Sequence, residues 1–385
     1  MELKEKHCWR EIDVDAVKSN YELIKKISDK PFYTVVKANA YGHGAKYMAK
    51  IYQELDTFGF CVSSFDEAME LRHSGVTRPI LILGYTDPGK AHELFVNNLT
   101  QVIISLDYAT RLNDAALYPV DCHVKLDTGM GRLGFDLVGD KEESFSQIRK
   151  LLDLHNLKIS GMFTHFPAAD SLGEKELAYT RQRIDLFNEC AEMMEKRGFS
   201  LKLLHAQNSA GIARKLKGDF TAMRAGIILY GRQPSDEVIL PGLRPTISLK
   251  AVVTHVKTVP AGRYIGYGMN YRSERPTKIA TVCAGYADGV MRNLSRNGHR
   301  VMINGEYYPI TGNVCMDQLM VDITGSDIKV GDEVTVIGGS GECSYTRTAK
   351  RASTIEHELM CNISKRVPRV YVEGGKPVHI EYGIL

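Results

Sequence analysis

Lysine is rarely buried without a partner, so a lysine delivered by an apolar strand into polar, glycine-rich sequence is a candidate for chemistry. Lys37 is such a residue: the β-prone stretch Phe32 to Val36 leads directly into Lys37-Ala38-Asn39-Ala40-Tyr41-Gly42-His43-Gly44. An amine there can form a Schiff base with an aldehyde cofactor or a carbonyl substrate. The plainer reading is a side chain that snorkels to a solvated strand end. Further along, polar groups recur at the C-terminal ends of strand-like runs: Tyr41, Lys125 to Arg132, His165, Asn208-Ser209 and Arg224. Each has an ordinary structural reading: Ser209 as a helix cap, His165 as a satisfied core histidine, Arg224 as an ion-pair partner. Together they read as one site. Ser209-Ala210-Gly211 and Ala225-Gly226-Ile227 lie at or near the ends of the last two runs, where barrels commonly hold phosphate through a hydroxyl and backbone N–H groups. A Schiff-base lysine beside a phosphate site suggests pyridoxal 5′-phosphate. A sugar-phosphate aldolase would need the same pair, and spacing alone does not separate the two.

Strand-like and helix-like segments alternate from residue 31 to about 232, and these must position the mouth. Strands are expected at 31–37, 58–64, 79–84, 101–106, 121–128, 159–165, 203–209 and 221–229, with helical patterns between them such as Tyr41 to Leu55, Ser64 to Ser74 and Leu177 to Arg197. Eight strands with intervening helices predict an α/β fold of the (β/α)8 TIM-like barrel type, whose active site lies at the strand C-termini. A doubly wound sheet is the rival, but no Gly-x-Gly-x-x-Gly turn follows the first strand. After Gly231, the residues Pro234, Pro241, Gly242 and Pro245 mark a linker. Short β-rich runs follow: Leu249–Val259, Lys278–Ala284, Arg300–Ile303, Tyr307–Thr311, Gln318–Ile323 and Glu333–Ile337, with Asn304-Gly305 as a hairpin signal. They predict a mostly β C-terminal domain, interrupted by one short helix from Arg351 to Cys361.

The chain has 385 residues, enough for two domains with real cores. Charged residues make up 25% and the net charge is +3, so neither nucleic acid nor an anionic membrane is expected as a partner. The charged start Met1-Glu2-Leu3-Lys4-Glu5-Lys6 contains no signal-like apolar run, and no stretch approaches the ~18 apolar residues of a membrane span. The eight cysteines are scattered, without a Cys-x-x-Cys pair, and predict neither a disulfide framework nor a metal site. A cytoplasmic protein is expected.

Four blocks resemble the signatures of alanine racemases: Val35 to Gly44, Val124-Lys125-Leu126-Asp127-Thr128-Gly129-Met130-Gly131-Arg132-Leu133-Gly134, Ala284-Gly285-Tyr286-Ala287-Asp288-Gly289, and Cys315-Met316-Asp317-Gln318. The likeness runs from Trp9-Arg10-Glu11-Ile12-Asp13 to Arg366-Val367-Pro368-Arg369. It implies a pyridoxal phosphate-binding barrel over 13–235. Residues 1–12 plus 240–385 would form a β-rich domain supplying a second catalytic base across a homodimer with shared active sites. The implied reaction is two-base racemisation of a small amino acid, L-alanine to D-alanine for peptidoglycan. By the same resemblance Lys37 carries the cofactor and serves one face of the substrate, and Tyr267 serves the other from the partner subunit. Tyr41, Ser209, Gly226 and Ile227 match phosphate contacts, and Arg224 faces the pyridine nitrogen, with His165 in the polar network around Tyr267. Arg132, Met316 and Asp317 match groups that receive the substrate carboxylate, and Tyr286 lines the approach. Lys125 matches a lysine that is carbamylated in many relatives.

Two positions depart from the pattern. His357 stands where tyrosine is usual, and Asn313 where many relatives have arginine opposite an acidic residue matching Asp170. Both lie on the expected approach to the site, so drift within alanine racemases competes with a shifted or relaxed specificity. A serine or broad-specificity racemase is the alternative, since a small pocket discriminates one added hydroxyl by only about 10²-fold. A non-catalytic pyridoxal phosphate-binding protein is the alternative of another class, but such proteins usually lack the β domain that carries Tyr267. A related decarboxylase would place an acidic residue where Arg224 stands.

Overall fold

The computed structural model describes residues 7–384. Residues 1–6 of the segment expected to join the β-rich domain, and Leu385 at its end, lie outside the described residues. The chain divides into two units. One comprises Lys18–Ala40 and Ala45–Leu243; the other holds the chain up to Val17, Tyr41–Gly44 and the chain from Arg244 onward.

In the first unit eight strands pair in parallel, in the order Met223–Ala225, Phe32–Val35, Gly59–Val62, Ile80–Ile82, Leu99–Ile103, Val120–Asp127, Leu157–Phe163 and Leu203–His205. A bridge between His205 and Ala222 joins the two ends, so the sheet closes as a barrel. Closure buries both faces of several strands, which is why these read as continuous apolar runs. All residues of Phe32–Val35, Gly59–Val62 and Ile80–Ile82 are buried. Burying one such large apolar side chain contributes about 1.5–3 kcal/mol. Helices alternate with the strands and start at side-chain caps: Ser64 accepts the Glu67 N–H before Phe65–His73, and Ser105 accepts the Tyr108 N–H before Leu106–Ala115.

The last two strands are shorter than the apolar runs predict. The side chain of Asn208 accepts the Gly211 N–H and opens a helix at Ser209–Ala213, so the seventh strand ends at His205. The eighth ends at Ala225, and Ile227–Tyr230 is a buried 3-10 turn closed by Gly231 at φ +70°. A short buried apolar run does not declare its secondary structure through periodicity.

The helix after Phe32–Val35 also departs from expectation, starting at Ala45 and not at Tyr41. Ala38, Asn39, Ala40 and Tyr41 all have φ between +51° and +55°, a turn of left-handed helix built without glycine. Left-handed backbone costs L-residues roughly 1–2 kcal/mol each, so it must be over-determined by its surroundings. Hydrogen bonds that hold it include the Ala40 N–H to Val36 O (2.8 Å), the Ala38 N–H to Glu67 Oε1 (2.7 Å) and the Ala45 N–H to Asn39 Oδ1 (2.6 Å).

The second unit is built on a mostly antiparallel sheet. Ile247–Val259, Thr277–Val282, Leu319–Asp322, Glu306–Thr311, Arg300–Ile303 and Glu333–Ile337 pair in that order, and the last returns to Ile247–Val259, closing a ring of six strands. The long strand serves three partners, and a bulge between Val253 and His255 bends it. Cys8–Asp13 adds antiparallel to Ile247–Val259 and parallel to Arg369–Glu373, which pairs with Lys376–Glu381. This terminal hairpin is absent from the sequence expectation. The helix expected at Arg351 to Cys361 is instead two, Tyr345–Ala352 and Glu356–Cys361, broken where Ser353 turns to φ +58°. Among the described residues no helix is long and apolar enough to cross a membrane.

Candidate active site

The C-terminal ends of the barrel strands gather four cations. Lys37 follows the first strand, Lys125 lies within Val120–Asp127, Arg132 sits in the loop after it, and Arg224 lies within Met223–Ala225. All four charges act on His165, after Leu157–Phe163; with burial as the first cause, they push its pKa down to about 3. His165 is therefore neutral at pH 7. Positive charge concentrated at one strand-end mouth favours an anionic ligand.

Arg224 is the most constrained of the four. Its guanidinium is buried and donates from Nη1 to His205 Nδ1 and His205 O (both 2.7 Å), and from Nη2 to Thr164 O (2.6 Å) and Ala206 O (3.3 Å). Nε takes no part in these bonds. Burial lowers the pKa to about 10, so the group stays charged at neutral pH. A guanidinium only donates, so His205 Nδ1 must accept, which leaves the His205 proton on Nε2. That proton is directed to His123 Nδ1 at 2.9 Å. Both rings are neutral: burial, then the Arg224 charge, lowers His123 to about 3 and His205 well below the ordinary value. The His123 ring fits because position 161 is glycine, where a Cβ would come within 2.7 Å of it. His123 and His205 are absent from the sequence reading. His205 fell inside the strand expected at 203–209, so no strand-end signal marked it, and nothing in the sequence linked it to His123.

Lys125 is buried, and its Nζ donates to Leu126 O and lies 5.6 Å from the Phe163 ring centroid. Burial lowers its pKa to about 7, with Arg224 and Arg132 adding to the effect and Asp127 opposing it. Half of a lysine at that value is a neutral amine at pH 7. Asp127 organises the loop that carries Arg132, accepting the N–H groups of Gly129 (2.8 Å), Gly131 (3.1 Å) and Arg132 (3.0 Å). The Tyr179 hydroxyl, on helix Glu174–Lys196, donates to Gly129 O at 2.9 Å and closes the loop from the other side. Asp127-Thr128-Gly129 is a turn signal that could have revealed the Asp127 role, whereas Tyr179 lies 50 residues further on and carried none.

Ser209 is the first residue of its helix, not the cap; its hydroxyl accepts the Gly226 N–H at 3.1 Å. The hydroxyl, the start of helix Ser209–Ala213 and the start of the turn Ile227–Tyr230 are thus tied together, and the first N–H groups of each have no acceptor within their own element. Asp170 is exposed, and its carbonyl accepts the Ser235 hydroxyl at 2.5 Å.

The β-rich unit carries the remaining predicted residues. Tyr41 and His357 face each other at 5.8 Å between ring centroids. Tyr267 opens a 3-10 turn, its side chain 72% exposed, and its carbonyl accepts from Asn313 Nδ2 at 2.7 Å. Asn313 is buried. Tyr286 and Met316 are exposed and held by parallel backbone contacts, the Tyr286 N–H to Cys315 O and the Ala287 N–H to Met316 O, both 3.0 Å. Gly285 permits this approach, since a Cβ there would lie 2.2 Å from Met316 O. Asp317 and buried Asp288 share Arg366, at 2.8 and 2.7 Å, a pairing the sequence reading missed. Among the described residues no group of three or more His, Cys, Asp or Glu could hold a metal ion.

Known proteins account for both units. The family model described as alanine racemase, N-terminal domain matches residues 12–234, and that for the C-terminal domain matches 246–371. The alanine racemase of Clostridium novyi (strain NT) is 40% identical over 382 residues, 97% of each chain. Among solved structures, the alanine racemase of Clostridium difficile 630 superposes with a TM-score of 0.93 at 38% identity over 100% of both chains. That of Bacillus anthracis, with bound L-Ala-P, does so with a TM-score of 0.92 at 34% identity over 99% of both. With matched domain models, near-complete coverage and identity this high, the chain belongs to the alanine racemase family.

Proposed function

We propose that this protein interconverts L- and D-alanine with pyridoxal 5′-phosphate as cofactor, the D-alanine serving peptidoglycan synthesis. The observation that carries the reading is the cationic mouth of Lys37, Lys125, Arg132 and Arg224, in a chain whose relatives are alanine racemases over nearly full length. The donor set fits the cofactor: a strand-end amine for its aldehyde, the Ser209 hydroxyl and the Gly226–Ile227 backbone for its phosphate, and a guanidinium for its ring nitrogen. Tyr41 matches a further phosphate contact. When bound, pyridoxal phosphate supplies the electron sink that makes the α-proton of an amino acid removable.

The chain's own residues then do the rest. Lys37 exchanges the proton on one face of the substrate; Tyr267 of a second copy exchanges it on the other, as racemisation requires two groups on opposite faces. Arg224 remains protonated at pH 7 and cannot accept a proton from the pyridine nitrogen; with both Nη atoms committed, Nε is the donor left for it. By keeping that nitrogen unprotonated Arg224 would weaken the electron sink and disfavour side reactions. His165, neutral, is the polar neighbour for the Tyr267 hydroxyl. Arg132, held by Asp127 and Tyr179, binds the substrate carboxylate together with the Met316-Asp317 segment of the second copy, and Tyr286 lines the approach. Lys125, with a neutral amine available at pH 7, takes up carbon dioxide with loss of a proton, and the resulting carbamate pairs with Arg132. His357 and Asp170 border the approach and bear on which side chains are accepted.

The test is proton NMR of the cofactor-loaded protein in D2O with L-alanine and, separately, L-serine, with chiral analysis of each product. Loss of the α-proton signal with racemic alanine, and serine far slower, is the expected result. Serine as fast or faster would overturn the alanine preference, and no exchange with either would overturn the reading.

A further inference from the structure

Tyr267 sits at the tip of a turn whose flanks are held, Tyr264 pairing with Arg272 and Ile265 with Tyr271, Ser273 bonding the backbone of Gly262 and Arg263, and Ile265 packing on Val259 and Ile279. Within the turn Gly266, Gly268 and Met269 all have positive φ, +76°, +76° and +53°. The Tyr267 side chain is largely exposed. A proton-transfer group needs a defined position, because misplacement by about 1 Å can cost about 10²-fold in rate.

What anchors the turn comes from another strand connection. Asn313 is 2% exposed, and its Nδ2 donates to the Tyr267 carbonyl at 2.7 Å. The approach of the two backbones makes this bond possible. Gly312 has φ +69°, and a Cβ there would lie 2.5 Å from Ile265 O; a Cβ on Gly266 would lie 3.3 Å from the Asn313 nitrogen. A short, neutral amide can be buried directly beneath a carbonyl at little cost, whereas the longer arginine matched at this position would bring a charge to be desolvated there. We propose that Asn313 is a positioning residue that fixes the Tyr267 turn from beneath and so sets the reach of the Tyr267 hydroxyl. This deepens the proposed function and rests on Tyr267 being its second base.

The test compares wild type, Asn313→Ala and Tyr267→Phe as cofactor-loaded protein. In Asn313→Ala, hydrogen–deuterium exchange of the amides across 264–272 is expected to quicken while the barrel amides keep their protection. The same variant should lower kcat about 3- to 10-fold, the effect of one lost hydrogen bond, with KM little changed. With α-deuterated alanine its isotope effect should rise in one direction of racemisation and not in the other, because only one of two opposed bases is loosened. A variant that merely weakened the fold would move both directions alike, and that result would overturn the proposal. Unchanged exchange and unchanged kinetics in Asn313→Ala, beside a severely impaired Tyr267→Phe, would also overturn it while leaving the second-base reading intact. A fully active Tyr267→Phe would overturn that reading, and the proposal with it.

Discussion

Replacing Lys125 by methionine should stabilise the protein while damaging its activity, with a pH dependence that identifies the cause. In the folded barrel the Lys125 amine is buried beside Phe163, near two other cations, and its pKa falls from the ordinary 10.5 to about 7. A separation of that size is a penalty on the charged form approaching ~5 kcal/mol, of which ~4 kcal/mol acts at pH 7. The sign follows from proton counting. The unfolded chain keeps this proton up to about pH 10.5, whereas the folded protein releases it near 7, so wild-type stability rises with pH across that window. Methionine keeps the length and removes the charge, and Leu126 O still accepts the Thr164 hydroxyl at 2.9 Å, so no carbonyl is orphaned. In urea titrations of cofactor-free protein, in buffer purged of carbon dioxide, the variant should exceed wild type by ~4 kcal/mol at pH 7. The gap should shrink steadily towards pH 10. Bicarbonate should then stabilise wild type and not the variant, with a carbamate carbon signal in ¹³C NMR from labelled bicarbonate. A stability difference that does not change with pH would refute the reasoning.

Three further substitutions separate the remaining parts of the site. Arg224→Lys cannot reproduce the fork that meets His205, Thr164 and Ala206; the loss of charge-assisted bonds, about 1.5–3 kcal/mol each, predicts at least a tenfold fall in kcat/KM in steady-state assays. Tyr179→Phe removes the donor to Gly129 O and should raise KM about 3- to 10-fold with a smaller change in kcat, through a loosened Arg132 loop; an unchanged KM would remove Tyr179 from the site. Gly285→Ala forces a Cβ to within 2.2 Å of Met316 O. Because the clash is with backbone, the variant should melt earlier by circular dichroism and lose activity, and full activity with an unchanged melting temperature would show that the Gly285–Met316 approach is not needed.

Much of the barrel is legible in the chain because its physics is local and repetitive. Strands buried on both faces must be apolar throughout, as Phe32–Val35 and Ile80–Ile82 are, and caps such as Ser64 and Ser105 announce their helices. Lys37, Lys125, Arg132, His165 and Arg224 could be suspected together because strand ends in a barrel converge on one mouth. Beyond the Schiff-base chemistry open to Lys37, their roles came only through resemblance. What the chain alone concealed depends on contacts between residues far apart in it. The left-handed turn at Ala38–Tyr41 runs against the propensity of its alanines and tyrosine and is held by hydrogen bonds that include those of Glu67 and Asn39. The lowered pKa of Lys125 and the neutrality of His165 follow from burial and from neighbouring cations, which no residue type declares. The relay from Arg224 through His205 to His123 and the Asn313 anchor beneath Tyr267 join side chains tens of residues apart. Tertiary structure decided these, because a pKa or a hydrogen bond belongs to an environment and an environment exists only once the chain has folded.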